Sequence, residues 1–436
     1  MKMRQDSLWD LINHKISKSV SYHGRHYNAP IWGDWQAADA LFSGNGLANV
    51  IISAPVEEAL RNGFCLKDGE QELPQNAVLQ SLLEDLETDR NFAQALSWDR
   101  LYGGAAILML ANDGGSLEDP LNESTLKYIE RLDVFDPGDI TFTPESYYAD
   151  PFDPQYGKPQ FYNIINEYGQ PFLVHESRLL LFHGGFLPNR LKMARQGWGS
   201  TVLEQVRERL AHYDESLCLA IQALRKLSQG ILKLANMDSM MMNDMGKKQV
   251  EERLDLIDMY RSLDNTIALD ADDEYDIKNL SLTGIKDIIE QAEYALSAVT
   301  NIPATILFGR APAGMNSTGK SDLENYYNMV RRIQQRTLKP NLGKLIWILN
   351  LCSDYKLNLP QEYRIEFNPL WNPSAKEEAE TKKLFADAQK QRAEAAKVYR
   401  ELGALDGKEI RDTLAESGDY LLDRSLDDDL AAPVEE

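Results

Sequence analysis

Residues 203–234 read LEQVRERLAHYDESLCLAIQALRKLSQGILKL, and the spacing of their apolar side chains decides the fold. Leu203, Leu210, Leu217, Leu224 and Ile231 recur every seventh position, and Val206, Tyr213, Ala220, Leu227 and Leu234 fall at the intervening d positions of the same heptad. One apolar seam therefore runs the length of the segment. As a continuous helix it spans about 45 Å at 1.5 Å per residue, longer than most small domains are wide. Gly230 is its weak point, costing about 1 kcal/mol against alanine. The seam suits either a core helix of a bundle or a contact between subunits.

Downstream, five methionines crowd into nine residues (Met237, Met240, Met241, Met242, Met245), an adaptable surface or a small core. A charged helix is predicted from Lys247 to about Leu263, then strands at Thr266–Leu269 and Tyr275–Leu282 around the acidic turn 270–274. That turn is no calcium loop, because Tyr275 stands where glycine is needed and Ser281 where a bidentate glutamate is needed. An amphipathic helix follows from Gly284 to Val299 and stops at Asn301-Ile-Pro303. A Gly/Ala/Pro/Ser loop, Gly309–Lys320, leads to a third long helix, capped by Ser321 with Glu324, running to about Leu351 and kinked or broken by Pro340. A strand at Tyr363–Phe367 precedes a charged helix opened by Ser374 with Glu377 and reaching about Leu405, then a short helix after Asp406 and an acidic tail at 427–436. Upstream, Val78–Ala95 reads as one amphipathic helix, and Gly103–Leu110 (GGAAILML) and Leu179–Phe182 as buried strands between Pro- and Gly-rich turns. The fold class is α+β.

The chain has 436 residues, 43% of them hydrophobic and 26% charged, with 68 acidic against 46 basic side chains and a net charge of −22. This is ample for more than one packed core and far from a disordered composition. Three scattered cysteines, Cys65, Cys218 and Cys352, offer neither a disulfide framework nor a cysteine zinc site. No membrane span or secretory signal is expected. His23 and His26 in the polar arm lack a third ligand nearby, and no G-x-S-x-G or H-E-x-x-H occurs. No catalytic residue, metal or cofactor is therefore expected.

One motif points elsewhere. Gly314-Met-Asn-Ser-Thr-Gly319-Lys320-Ser321 matches the phosphate-binding P-loop and opens a helix. Its context fails, because a P-loop needs a buried strand running into the first glycine and Thr305–Phe308 is too short and too far away. Nor is there an alternation of strands and helices to build a parallel sheet. A P-loop packaging NTPase is the alternative reading of function.

From Trp198 onward the order is a long helix, a small variable segment, a shorter helix ending in Asn301-Ile-Pro303, a Gly-rich loop, and a long kinked helix. With Phe308-Gly309, Ala313-Gly314-Met-Asn-Ser-Thr-Gly319, and the run Leu47–Phe64 containing Ser53-Ala-Pro55 and Arg61-Asn-Gly-Phe64, this resembles the portal (head-to-tail connector) proteins of tailed bacteriophages. The resemblance covers about residues 30–420. It implies an N-terminal arm (1–29), an α/β wing (30–200), stem helices at 201–229 and 284–300, a small α/β clip (230–283) and a tunnel-loop region (301–320). A kinked wing helix and strand (321–372) and helical crown with acidic tail (373–436) complete it.

The resemblance further implies a ring of about twelve copies at one capsid vertex of the virion, assembled in the host cytoplasm. DNA would pass through it during packaging and ejection. The partners implied are the ring's own copies, the terminase large subunit, a head–tail adaptor, the major capsid protein and, transiently, double-stranded DNA, with no membrane. Arg310, Met315, Asn316, Ser317, Thr318 and Lys320 would face DNA from the tunnel loop. Leu203, Leu210, Leu217, Leu224, Ile288 and Ile289 would pack between subunits, and Met240, Met241, Met242, Asp272 and Asp273 would dock partners. Under that reading the acidic balance has a purpose, since a carboxylate-lined wall repels DNA weakly and lets it move.

Overall fold

The computed structural model describes residues 32–141, 147–166, 168–225, 228–233, 274–279, 284–309, 319–371 and 375–402, with positions 245, 248 and 252. Most of the predicted clip, including the five residues predicted to dock partners, and most of the tunnel loop lie outside these, as does the short helix after Asp406. The chain divides into two compact units, 1–368 and 369–436.

The first unit begins with helices α1 (Trp35–Gly44) and α2 (Gly46–Leu60). Asn45 ends one and caps the other, its Oδ1 accepting from the amides of Leu47 and Ala48 at 3.0 and 3.1 Å. Strands β1 (Phe64–Asp68) and β2 (Gln71–Glu72) form a hairpin. Helices α3 (Asn76–Asp85) and α4 (Thr88–Tyr102) follow. One helix was predicted across Val78–Ala95, but it breaks at Glu87, whose φ is +48°. The apolar spacing skips from Leu86 to Phe92 over a charged turn, so the two halves bury different faces. Asn91 holds the break by donating to the Leu86 carbonyl at 3.1 Å.

Next come β3 (Ala105–Ala111), β4 (Ile129–Phe135), β5 (Ile140–Thr141), β6 (Phe161–Ile165), β7 (Pro171–His175) and β8 (Leu179–Phe182). They make two antiparallel sheets, ordered β4-β3-β8 and β5-β6-β7. β3 is central, and its alternation separates two cores. Ala105, Ile107 and Met109 face a cluster with Phe92, Leu96, Leu345 and Ile346, while Ala106 and Leu108 face Ile140, Tyr162, Val174 and Trp198. An uninterrupted apolar run is what a strand covered on both faces requires.

Short helix α5 (Asn189–Ala194) leads to α6 (Val202–Arg225). The long helix predicted through Leu234 ends there. Residues Ser228–Lys233 form β9, paired antiparallel with β10 (Glu274–Asn279), Gly230 opposite Ile277. Short apolar runs satisfy a heptad and a strand alike, and Gly230 tips the choice.

Helix α7 (Ile285–Thr300) packs along α6, and one-turn α8 (Ala304–Leu307) follows it. Helix α9 (Lys320–Ile333) starts one residue early, with Gly319 at φ +62° as its cap; the predicted Ser321–Glu324 box is not formed, since no side chain caps this end. Pro340 does not break the helix. A π-helical turn, Gln334–Leu338, absorbs it, and α10 (Lys339–Leu351) continues. Gln334 reaches from that turn to the Ala59 carbonyl at 2.8 Å, and Asn341 donates to the Thr337 carbonyl at 3.0 Å. Strand β11 (Arg364–Phe367) closes the sheet β11-β1-β2.

The second unit contains α11 (Ala375–Glu401), a largely exposed helix with i,i+4 ion pairs Lys390–Glu394 and Lys397–Glu401. No helix among the described residues is long and apolar enough to cross a membrane.

Candidate functional site

The α6/α7 pair carries the described part of the predicted site. The N-terminal end of α6 is bolted to the body. Thr201 Oγ1 accepts from the Glu204 amide at 3.0 Å, and Arg195 grips the Glu204 carboxylate through two bonds of 2.8 and 3.0 Å while its guanidinium lies over Trp32. Leu203, Val206 and Leu210 are fully buried there. Asn45 reaches across to Asp214 at 2.9 Å.

Beneath this anchor three glycines let backbones cross. A Cβ on Gly199 would stand 2.1 Å from the His183 carbonyl oxygen, one on Gly184 2.4 Å from that of Gly103, and one on Gly103 2.6 Å from that of Gly199. No side chain fits. Gly103 and Gly184 also hold φ of +86° and +64°. Asp99 accepts from the Gly184 amide, and its burial pushes its carboxyl up to about 6, against the pull of that hydrogen bond and of Arg100.

Neighbouring Arg100 repairs a second weak point. Pro55 inside α2 cannot donate to the carbonyl of Ile51, and Arg100 does so instead at 2.7 Å, with a further bond of 3.1 Å to Ile52. Nothing in the spacing of Pro55 and Arg100 announces this. Farther off, Arg178 and Asp113 form a wholly buried ion pair at 2.6 Å. Burial works against the Asp113 carboxylate, but bonds from the Asn122 and Gly115 amides and from Arg178 outweigh it and hold its pKa below the ordinary value.

Toward its other end α6 emerges from the core. Leu217 is half-buried, Leu219 is 52% and Ile221 51% exposed, and on α7 Ile288 is 63% and Tyr294 51% exposed. Of the six residues predicted to pack between subunits, Leu203 and Leu210 are thus spent in the chain's own core, a correction to that expectation. Ile288 stands free, Ile289 is half-buried, and the side chain of Leu224 is not described. Leu219 and Ile221, off the a/d seam, were missed. The uncharged run Leu217–Ile221 (LCLAI) carried the signal, because a helix apolar all round needs cover on every side.

The exit from α7 is tied down. Asn301 caps it at φ +55°, Ser297 donates to the Ile302 carbonyl at 2.6 Å, and Ile302 is buried. Phe308 then packs its ring against Tyr213 of α6, tilted at 44° with centroids 5.3 Å apart. The described chain up to Gly309 is therefore held against α6 and α7.

The same stretch also bears on the P-loop motif. The segment before it, α8, is helical, and every strand pairing among the described residues is antiparallel, so the strand–loop–helix unit of a P-loop is not built. Arg310, Met315, Asn316, Ser317 and Thr318, like Met240, Met241, Met242, Asp272 and Asp273, lie outside the described residues; Lys320 is the first residue of α9.

The phage portal protein family matches residues 36–391. An uncharacterized protein of Haemophilus influenzae is 26% identical over 385 residues, covering 88% of this chain and 84% of its own. The anti-CBASS protein Acb1 of a Caulobacter species is 24% identical over 401 residues. There the match covers 88% of this chain but 62% of the relative. Among solved structures, the neck of a native gene transfer agent particle computed with C12 symmetry is similar at TM-score 0.47 and 12% identity, covering 93% of this chain and 96% of that one. An HK97 family phage portal protein from Corynebacterium diphtheriae is similar at TM-score 0.36 and 12% identity, covering 77% and 98%.

Proposed function

Because the chain belongs to the phage portal protein family, we propose that about twelve copies of it close into a ring at one vertex of a virion capsid and form a passive channel for DNA packaging and ejection. The observation that carries this reading is the α6/α7 pair. Leu219, Ile221, Ile288 and Tyr294 are large apolar side chains, each more than half exposed on a single chain with a net charge of −22. Each large side chain left in water forfeits about 1.5 to 3 kcal/mol that burial would return. Neighbouring copies supply that cover in a ring, where both helices meet a second pair on each side.

In this assembly α6 and α7 are the stem, residues 230–283 the clip that receives the terminase large subunit and later the tail adaptor, and residues 309–320 the tunnel loop. Residues 30–200 with α9 and α10 form the wing beside the major capsid protein, and residues 373–436 are the crown with its acidic tail. The chain guides DNA and hydrolyses nothing. Native mass spectrometry of the purified protein tests the ring. The wild type should give a many-subunit species, and Leu219→Ser/Ile221→Ser should remain monomeric with unchanged circular dichroism. A wild type that stays monomeric at every concentration, or a double variant that assembles normally, would overturn the role given to this face.

A further inference from the structure

The helix α9–α10 breaks the acidic pattern of the chain. Between Asn325 and Ser353 there is no Asp or Glu, while Arg331, Arg332, Arg336, Lys339 and Lys344 all fall there. Lys344 is spent internally, donating to the carbonyls of Glu176 and Leu179 at 3.2 and 2.8 Å. Arg331, Arg332 and Arg336 are exposed and Lys339 partly so, and among the described residues none of the four has an ion pair or hydrogen bond. Arg332, Arg336 and Lys339 follow at four- and three-residue steps, and Gly343 and Trp347 continue the same face. From Arg332 to Trp347 the row is about 22 Å long at 1.5 Å per residue.

The far end of this row opens into a groove of about 810 Å³ between α10, the β1–β2 hairpin and β11. Lys339, Gly343 and Trp347 form one wall, and Lys67, Tyr363 and Arg364 the other. Trp347 is 42% exposed, unusual for a large ring on a helix that buries Leu342, Leu345, Ile346, Ile348 and Leu349. Two carboxylates, Asp68 and Glu362, also line the groove, and Glu366 beside it is taken by Lys67 at 2.9 Å. Arg332, Arg336, Lys339 and Arg364 thus stand against Asp68 and Glu362 along the row and its groove.

We propose that this Arg332–Arg336–Lys339–Trp347 face binds the sugar–phosphate backbone of double-stranded DNA, separately from the tunnel loop. Unpartnered guanidiniums at regular intervals match a line of phosphates, and Trp347 with Tyr363 offers apolar contact to deoxyribose. The bulk charge of −22 does not prevent this, since carboxylates beyond about 8 Å are screened at physiological salt. The identification of the polyanion as DNA rests on the portal reading above; the charge geometry does not.

The test is fluorescence anisotropy of a labelled duplex of about 30 base pairs against the full chain, titrated between about 50 and 200 mM salt. Wild type should bind with affinity falling steeply with salt, and R332E/R336E should weaken binding at least tenfold at the low-salt end. The variant should also flatten the log–log salt slope by about 2, the loss of two phosphate contacts. K383E/R392E, the same charge change on α11, should bind as wild type does. An unchanged slope in R332E/R336E, an equal loss in the control, or capture of polyglutamate but not duplex would each overturn the proposal. Native mass spectrometry on the same samples separates the two readings: R332E/R336E should form the same ring as wild type, and DNA binding without a ring would sink the ring while leaving this face intact.

Discussion

Two uncharged apolar runs in this chain meet opposite fates. Ala105–Met109 (AAILM) in β3 is at most 1% exposed at every position, whereas in Leu217–Ile221 (LCLAI) of α6 Leu219 and Ile221 are half in water. The strand is covered because α4 and α10 close one face of its sheet and β5–β7 the other. The helix is lined along that stretch by α7, and Leu219 and Ile221 stay uncovered by the described residues. Apolarity in a sequence states that cover is needed; topology states whether the chain supplies it. One copy covers β3 on both faces but leaves this stretch of α6 half in water.

This contrast can be broken in the body first. Gly199→Ala should be the most damaging change, since its Cβ would overlap backbone atoms at 2.1 and 2.5 Å that no rotamer can relieve. A loss above about 4 kcal/mol, read as insoluble protein or a collapsed denaturation midpoint, is expected, and a stable Gly199→Ala variant would show the crossing to be loose. Arg178→Met should cost about 3 to 5 kcal/mol by stranding the buried Asp113 carboxylate, measured by urea unfolding. A loss under 1 kcal/mol would mean that water reaches the pair.

The two ends of α6 then sharpen the contrast. Leu210→Ala, in the core, should cost about 3 kcal/mol, while Leu219→Ala should change monomer stability by no more than about 0.5 kcal/mol yet impair assembly. Equal losses would show that the far end of the stem is buried in the isolated chain after all. A smaller effect comes from Asp99. Its folded pKa of about 6 lies above the ordinary 3.8, so the folded state binds the proton more tightly. Stability is therefore fullest below about pH 4 and falls as pH rises through about 6, by about 2 to 3 kcal/mol from this group. Asp99→Asn keeps an acceptor for Gly184 and should remove that part of the slope. Partly buried Asp136, also near 6, should retain its own part.

How much could be read beforehand follows the same division. β3, β8 and α7 were legible because their patterns are long or doubly covered, and the fold class with them. Apolar runs on either side of Gly230 that fit both periods hid the change from α6 to β9, and the left-handed Glu87 hid the break between α3 and α4. The Pro55–Arg100 repair joins residues far apart in sequence and leaves no local trace. For the stem, the a/d seam led to Leu203 and Leu210, which serve the core. The exposed apolar side chains, Leu219 and Ile221, lie on the flanking columns.

Electron imaging of purified particles, viewed down the symmetry axis, addresses the central claim most directly. A closed ring of many copies, with α6/α7 pairs side by side around an axial opening wide enough to pass duplex DNA, is the expected image. Particles with no opening, or assemblies in which Leu219, Ile221 and Ile288 remain in solvent, would contradict it.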